Sequence, residues 1–137
     1  MTQEDRELLF KDLCARLPYA VKVKIGNNLY IVDGIDIGLN DEGEWVPRVC
    51  THGITAVELV KMKEIEYCKP YLFPYSSMTE EQIKESLTTK HKINLASGKF
   101  MYVDSSKTVD FYCKYHIDFR GLIPKGLAND ATGLNIY

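Results

Sequence analysis

The feature that most constrains the fold is an alternating segment that runs directly into a tight-turn sequence. Over residues 19–25, apolar residues at every second position are separated by the two lysines Lys22 and Lys24. A period of two is the pattern of a half-buried β-strand. Residues 26–28 read Gly-Asn-Asn, which tolerate positive φ angles and favour a hairpin turn. The pattern therefore predicts a first strand that turns back into a second one over residues 29–37.

Two further short segments extend this pattern. Residues 44–50 and 55–60 have strand-like composition and are bounded by turn residues. Gly34 predicts a bulge in the second strand, and Pro47 predicts that the third strand is an edge strand or carries a bulge. Successive short strands joined by tight turns predict a small curled antiparallel sheet or an SH3-like barrel. The alternative is an open antiparallel sheet with helices on one face.

Helices are predicted on both sides of these strands. Leucines at every fourth position predict an amphipathic helix over residues 3–17, capped by Thr2 and ended by Pro18. We expect it to pack on the sheet. Thr79 and Gln82 have the spacing of a capping box, which predicts a short surface helix from residue 80 onward.

The C-terminal part predicts a second hairpin and a last helix. Residues 92–95 and 99–103 flank an Ala-Ser-Gly turn, and residues 109–116 have helical spacing. The fold class is therefore α+β, in a single domain over residues 1–137. Within it we expect a barrel-like part at about residues 19–75 and a helical and hairpin part at about residues 78–137.

Composition narrows the function classes. The formal net charge is -2, from 17 basic and 19 acidic side chains. Proteins dedicated to binding nucleic acid usually carry an excess of basic side chains, so the charge disfavours this class. No apolar run reaches the roughly 20 residues of a membrane helix, and the acidic start is unlike a signal peptide. We therefore expect a cytoplasmic protein without a membrane partner.

No motif predicts a cofactor or a metal ion. The four cysteines form no Cys-x-x-Cys pair and the three histidines are far apart, so zinc-type spacing is missing. The glycines form no phosphate-binding loop.

One segment, residues 111–121, concentrates reactive side chains. A Cys113–His116 pair beside Asp118 has the residue types of a thiolate nucleophile with its base. If the helix continues, His116 and Arg120 share one of its faces. The competing interpretation is structural, with Asp118 and Arg120 forming an ion pair or tying down a chain reversal at Gly121. We favour the structural interpretation and predict no catalytic residues.

A binding face is predicted on the first strands. Lys22 and Lys24 project from one side of the first strand, and the aromatic residues Tyr30 and Trp45 follow in the next two. Basic and aromatic side chains on a small barrel hold single-stranded nucleic acid by charge and stacking, and they equally hold a peptide. The alternative is that Trp45 belongs to the core and the lysines only solubilise the surface.

Three stretches resemble an uncharacterised family of small bacterial proteins carried largely by prophages and related mobile elements. They are DLCARLPY (residues 12–19), KPYLFP running into SSMTEE (residues 69–81) and HIDFRGLIPKGLA (residues 116–128). They lie at the start, middle and end of the chain. The resemblance implies no catalytic residues, and only the context of an accessory bacterial gene expressed in the cytoplasm.

Three hypotheses about function remain. The favoured one is a non-catalytic binding or adaptor module that engages a protein partner. The alternative is a nucleic-acid-binding module that uses the Lys22 and Lys24 face, and the third is a small enzyme built on Cys113 and His116. The oligomeric state stays open. The candidate binding residues are Lys22, Lys24, Tyr30, Trp45, His116, Asp118 and Arg120.

Overall fold

The computed structural model describes residues 1–53 and 61–137 and confirms the α+β class. The elements in chain order are α1 (Gln3–Arg16), β1 (Lys22–Ile25), β2 (Asn28–Leu39), β3 (Trp45–Gly53), β4 (Lys61–Glu64), β5 (Lys69–Pro74), α2 (Glu80–Thr89), β6 (His91–Asn94), β7 (Phe100–Val103), α3 (Ser106–Lys114), β8 (Ile117–Asp118) and β9 (Asn129–Asp130). Short 3₁₀ turns occupy Leu17–Tyr19, Ile65–Tyr67 and Tyr75–Ser77.

The main sheet is open and mixed, with the strand order β4-β3-β2-β1-β5-β8. Strand β5 returns to pair antiparallel with β1 and then accepts β8 and β9 as parallel partners. Because β5 is occupied in this way, the described strands do not close into the predicted SH3-like barrel, and the sheet is not purely antiparallel. The predicted fourth strand at residues 55–60 lies outside the described residues.

The first hairpin forms as its turn sequence predicts. Ile25 pairs with Asn28 across a two-residue turn in which Gly26 has a φ of 61°. The register of β2 and β3 shifts between Val32 and Gly34, which confirms the bulge. Strand β4 pairs with β3 only over Arg48–Thr51. Pro47 lies outside this stretch, so its lack of an amide proton breaks no hydrogen bond between β3 and β4.

Helix α1 covers the sheet with an unexpected set of side chains. Thr2 caps it, as predicted, and the Asp5 carboxylate accepts a hydrogen bond from the Thr2 amide. Its buried residues are Leu9, Asp12, Leu13 and Arg16. This i, i+3, i+4, i+7 set is one helix face, so half of the face in contact with the core is charged.

A buried ion network ties α1 to the C-terminal part of the chain. Arg16, which is fully buried, donates to both Asp12 carboxylate oxygens at 2.8 and 3.1 Å and to the Ile117 carbonyl at 2.7 Å. Arg120 donates to the same Asp12 carboxylate at 2.9 Å. The guanidinium of Arg120 also lies 4.3 Å from the centre of the Phe119 ring. One aspartate therefore holds two arginines, one from its own helix and one from beyond β8.

The segment after α3 departs from the predicted helix. Helix α3 ends at Lys114, and His116 has a φ of 57°, so His116 and Arg120 do not share a helix face. The Asp118 carboxylate accepts hydrogen bonds from the Leu122 and Ile123 amides, both at 2.8 Å. Asp118 therefore locks the chain reversal, in agreement with the structural interpretation of this segment.

Residues from the stretches 12–19, 69–81 and 116–128 meet around β5. Phe73 in β5 pairs with Ile117 in β8, and its amide donates to the His116 carbonyl at 2.8 Å. The Ile117 carbonyl in turn accepts from Arg16 in the first stretch. Residues from the start, middle and end of the chain are therefore joined by hydrogen bonds at β5 and β8.

The second hairpin forms as predicted and is separate from the main sheet of described strands. The capping box of Thr79 and Gln82 is present, and α2 leads into β6. Among the described strands, β6 and β7 pair only with each other. No described helix is both long and apolar enough to cross a membrane.

Replacing Asp12 tests the ion network. We expect Asp12→Asn to lower the free energy of unfolding by about 3–5 kcal/mol, because it leaves the buried Arg16 without its charge partner. Urea denaturation followed by circular dichroism measures the loss. Glu66→Gln is the control, since it removes a partly exposed ion pair with Arg6 and should cost less than about 1 kcal/mol. Equal losses in the two variants would contradict the assigned role.

Candidate functional site

The structure does not bring the seven candidate binding residues together. Tyr30 is 1% exposed and belongs to the core, so its prediction as a binding residue is wrong. Its position in β2 places it on the inner face, opposite Val23 of β1. Trp45 is 71% exposed, which contradicts the alternative that it packs in the core.

The two lysines of β1 differ in their surroundings. Lys24 is exposed, as the alternation predicts. The Lys22 ammonium group donates to the Ile136 carbonyl and lies 5.2 Å from the centre of the Tyr137 ring. Lys22 is therefore engaged in holding residues 136 and 137 against the sheet.

His116 lies beneath the same tyrosine. Its ring stacks on Tyr137 with centroids 3.5 Å apart and an angle of 13° between the planes. Burial, together with the charges of Arg16 and Lys22, lowers the pKa of His116 to about 4. The imidazole is therefore neutral at pH 7.

The Cys113 thiol lacks the environment of a nucleophile. Cys113 is 1% exposed, and burial raises the pKa of its thiol. A catalytic thiolate requires a lowered pKa and access to substrate. This geometry gives no support to the hypothesis of a cysteine enzyme at Cys113 and His116. Among the described residues, no group of His, Cys, Asp and Glu side chains is placed to hold a metal ion.

The best candidate site is a cleft of about 550 Å³ between the first half of α1 and the end of the β2–β3 hairpin. The 3₁₀ turn Ile65–Tyr67 forms a further wall. The residues that line this acidic cleft are Gln3, Arg6, Glu7, Phe10, Asn40, Asp41, Glu42, Glu44, Trp45, Val46, Pro47, Glu64, Ile65, Glu66 and Tyr67.

Two exposed aromatic side chains contribute to the apolar part of the acidic cleft. Trp45 and Tyr67 are 71% and 61% exposed. Trp45 lies directly opposite Leu39 in the β2–β3 hairpin, and opposite residues share one face of a sheet. Ile37 is on this face too, and both Ile37 and Leu39 are exposed. The hairpin therefore carries an uncovered apolar stripe into the acidic cleft.

The other face of this hairpin end is closed by its own residues. Arg48 forms a double hydrogen bond with Asp36, at 3.1 and 3.0 Å. A Cβ atom on Gly38 would lie only 2.1 Å from the Arg48 guanidinium carbon, which is too close for two unbonded atoms. A side chain at residue 38 would therefore displace the Arg48 guanidinium from its place beside Asp36.

The turn beside Trp45 is fixed by hydrogen bonds to one asparagine. The Asn40 side-chain oxygen accepts from the Glu42 amide at 3.0 Å and from the Glu44 amide at 2.9 Å. Gly43 has a φ of 79°, a conformation that glycine adopts readily. The turn thus presents the acidic side chains of residues 41, 42 and 44 from a defined backbone.

Negative charge accumulates around the acidic cleft. Six of its lining side chains are carboxylates, and its one lining arginine, Arg6, is paired with Glu66 at 3.2 Å. Burial raises the pKa of Glu64, and the neighbouring carboxylates of Glu66, Asp41 and Glu42 raise it further. A cation bound here would relieve this repulsion. A shallower hollow next to the cleft includes the basic residues Arg48 and Lys63.

Comparison with protein-family models, with curated proteins and with solved structures gives no match for this chain. The resemblance to prophage proteins therefore stays a prediction.

The sequence pattern predicts one residue of the acidic cleft, Trp45, as a binding residue. It predicts no role for the acidic residues beside it. Glu64, Glu66 and Tyr67 were missed because their role depends on the 3₁₀ turn lying against α1. The available signal was the alternation of acidic and apolar residues over residues 64–67, directly before a buried cysteine.

The buried position of His116 predicts a pH dependence of stability. The unfolded chain binds a proton near pH 6.5, whereas the folded chain binds it only near pH 4. Stability that is present above pH 6.5 is therefore lost as the pH falls toward 4. Allowing for the exposed part of the ring, we expect a loss of about 1 kcal/mol between pH 7 and pH 5.

His116→Asn isolates this contribution, because asparagine accepts the positive φ angle at this position. Urea denaturation at pH 7 and pH 5 should show a smaller pH-dependent loss in the variant than in the parent protein. His91→Asn, which changes an exposed histidine, is the control and should behave like the parent. The same loss in the His116 variant as in the parent would contradict the assignment.

Proposed function

We propose that this protein is a non-catalytic binding module that engages a protein partner through the acidic cleft. The observation that carries the proposal is the exposed Trp45, which lies beside a ring of carboxylates at the end of an uncovered apolar stripe. The partner it fits presents a segment with basic and apolar side chains.

The chemistry of the acidic cleft favours such a segment. A lysine or arginine of the partner would find carboxylates for its charge and the faces of Trp45 and Tyr67 for cation–π contact. Apolar side chains of the same segment would cover the stripe that contains Ile37 and Leu39. Complementary charge would speed association, and apolar contact would add to the lifetime of the complex.

The cellular setting remains part of the proposal. The resemblance to prophage-borne proteins suggests an accessory or adaptor role in the cytoplasm of a bacterium. A binding module suits such a role, because it acts on its partner without needing a substrate or a cofactor. If the protein is a non-catalytic binding module, a basic partner segment should bind to it without being changed chemically.

Trp45 provides the readout for a binding test, because it is the single tryptophan of the chain. We expect a short peptide of arginine, leucine and serine to shift Trp45 emission to shorter wavelength, with a Kd of about 10 µM. Raising the salt concentration should weaken binding. A counterpart peptide with glutamate in place of arginine should cause no shift; equal binding of both peptides would sink the proposal.

Paired charge variants locate the site. Glu42→Gln with Glu44→Gln removes two carboxylates of the acidic cleft and should weaken peptide binding about tenfold or more. Glu81→Gln with Glu85→Gln removes two exposed carboxylates from α2 and should leave the affinity unchanged. The same loss in both pairs would indicate a general charge effect and contradict a defined site.

Nucleic-acid binding is the alternative function, and it makes a separate prediction. It requires a mobility shift of single-stranded DNA or RNA at low salt that disappears in Lys22→Ala with Lys24→Ala. The acidic cleft disfavours phosphate, and the Lys22 ammonium group is engaged with the Ile136 carbonyl. We therefore expect no shift with the parent protein.

A further inference from the structure

The acidic cleft already holds one guanidinium group, that of Arg6. Arg6 lies in the first half of α1 and donates a hydrogen bond to the Glu66 carboxylate at 3.2 Å. This is the only hydrogen bond that its side chain makes to a described residue. A guanidinium group carries five N–H donors, so one bond uses little of its capacity. Both side chains are partly exposed, at 38% and 27%, and such a pair opens at little cost.

No described cation pairs with the carboxylates of the β2–β3 turn. The side chains of Asp41, Glu42 and Glu44 are exposed, and none of them forms an ion pair with a described residue. Their backbone is fixed by the hydrogen bonds that the Asn40 side chain accepts from the turn. The turn therefore presents carboxylate oxygens from a defined place in the cleft, and these oxygens are open to a donor from outside.

Aromatic rings lie in the same cleft as these carboxylates. Trp45 follows the acidic turn directly, and Tyr67 lies in the 3₁₀ turn that also carries Glu66. A guanidinium group is planar, so it can stack on an aromatic ring and still donate two hydrogen bonds to a carboxylate from its edge. A lysine ammonium group is a compact and strongly hydrated charge without this flat geometry. A trimethylated ammonium group suits aromatic rings but has no N–H to donate, so rings combined with carboxylates favour arginine.

The size and charge of the acidic cleft leave room for a second guanidinium group. Its volume of about 550 Å³ lies within the range of roughly 300–1,000 Å³ that is common for pockets holding small ligands. Six carboxylates line it, against the single arginine Arg6. Arg6 offsets only part of this negative charge, so a further cation is attracted into the cleft.

We propose that the acidic cleft recognises an arginine side chain of its partner, and that Arg6 is an internal occupant which this arginine replaces at Glu66. The inference rests on the proposed function and narrows the basic residue of the partner from lysine or arginine to arginine. In the free protein, Arg6 neutralises Glu66 and competes with the partner for it. In the complex, the guanidinium group of the partner stacks on Trp45 or Tyr67 and donates to the carboxylates, while Arg6 turns toward solvent.

Three peptides that differ only in the basic residue test the preference for arginine. They place arginine, lysine or trimethyl-lysine among the same leucine and serine residues, and Trp45 emission reports binding. The arginine peptide should bind about tenfold or more tightly than either of the others. Equal affinity for arginine and lysine, or tighter binding of trimethyl-lysine, would overturn this inference but leave a site for a basic partner in place. No change in emission with any of the three would contradict the proposed function as well.

Removing Arg6 tests its role as an internal competitor. Arg6→Gln frees Glu66 and should raise the affinity for the arginine peptide about threefold or more, with the circular dichroism spectrum unchanged because the position is partly exposed. Lys11→Gln is the matched control, because it removes the same charge from an exposed position of α1 that does not line the cleft. Its affinity should stay within about twofold of the parent value. An equal gain in both variants, or a loss of affinity in Arg6→Gln, would contradict the assigned role of Arg6.

Discussion

The fold depends on one buried aspartate that binds two arginines. Asp12 in α1 accepts hydrogen bonds from Arg16 and Arg120, and Arg16 also reaches the Ile117 carbonyl of β8. Charges taken out of water are costly unless they are paired, so this arrangement is tolerated only when helix, β8 and the reversal after it are all in place. Residues from the stretches 12–19, 69–81 and 116–128 meet around this network, which gives them a structural role.

Local patterns in the sequence predicted the local structure well. The alternation around Lys22 and the Gly26 turn gave the first hairpin, and the side chains of Thr2 and Thr79 gave the helix starts. Long-range pairing was not predictable in the same way. Nothing local in Lys69–Pro74 indicates that it pairs with β1 on one side and with two parallel strands on the other. That pairing is why the sheet stays open.

The candidate site shows the same division between features that local sequence predicts and features that depend on long-range contacts. The sequence predicts Trp45 as a binding residue, but Glu64 and Tyr67, which line the acidic cleft with it, come from a separate segment. Tyr30 is an aromatic residue of the kind that often binds ligands, yet the strand register places its side chain in the core. Cys113 and His116 have reactive side chains, but burial raises the pKa of the Cys113 thiol and lowers the pKa of the His116 imidazole. In each case the residue type allows both a functional and a structural role, and the tertiary contacts determine where the side chain lies.

The acidic cleft is the surface to which we assign the proposed basic partner. The most direct test of the central claim is a nuclear magnetic resonance titration of the labelled protein with the basic peptide. The account predicts that shifts concentrate on Trp45, Tyr67 and the turn of residues 40–44. Shifts concentrated instead on the Lys22 and Lys24 strand, or spread evenly over the surface, would contradict it.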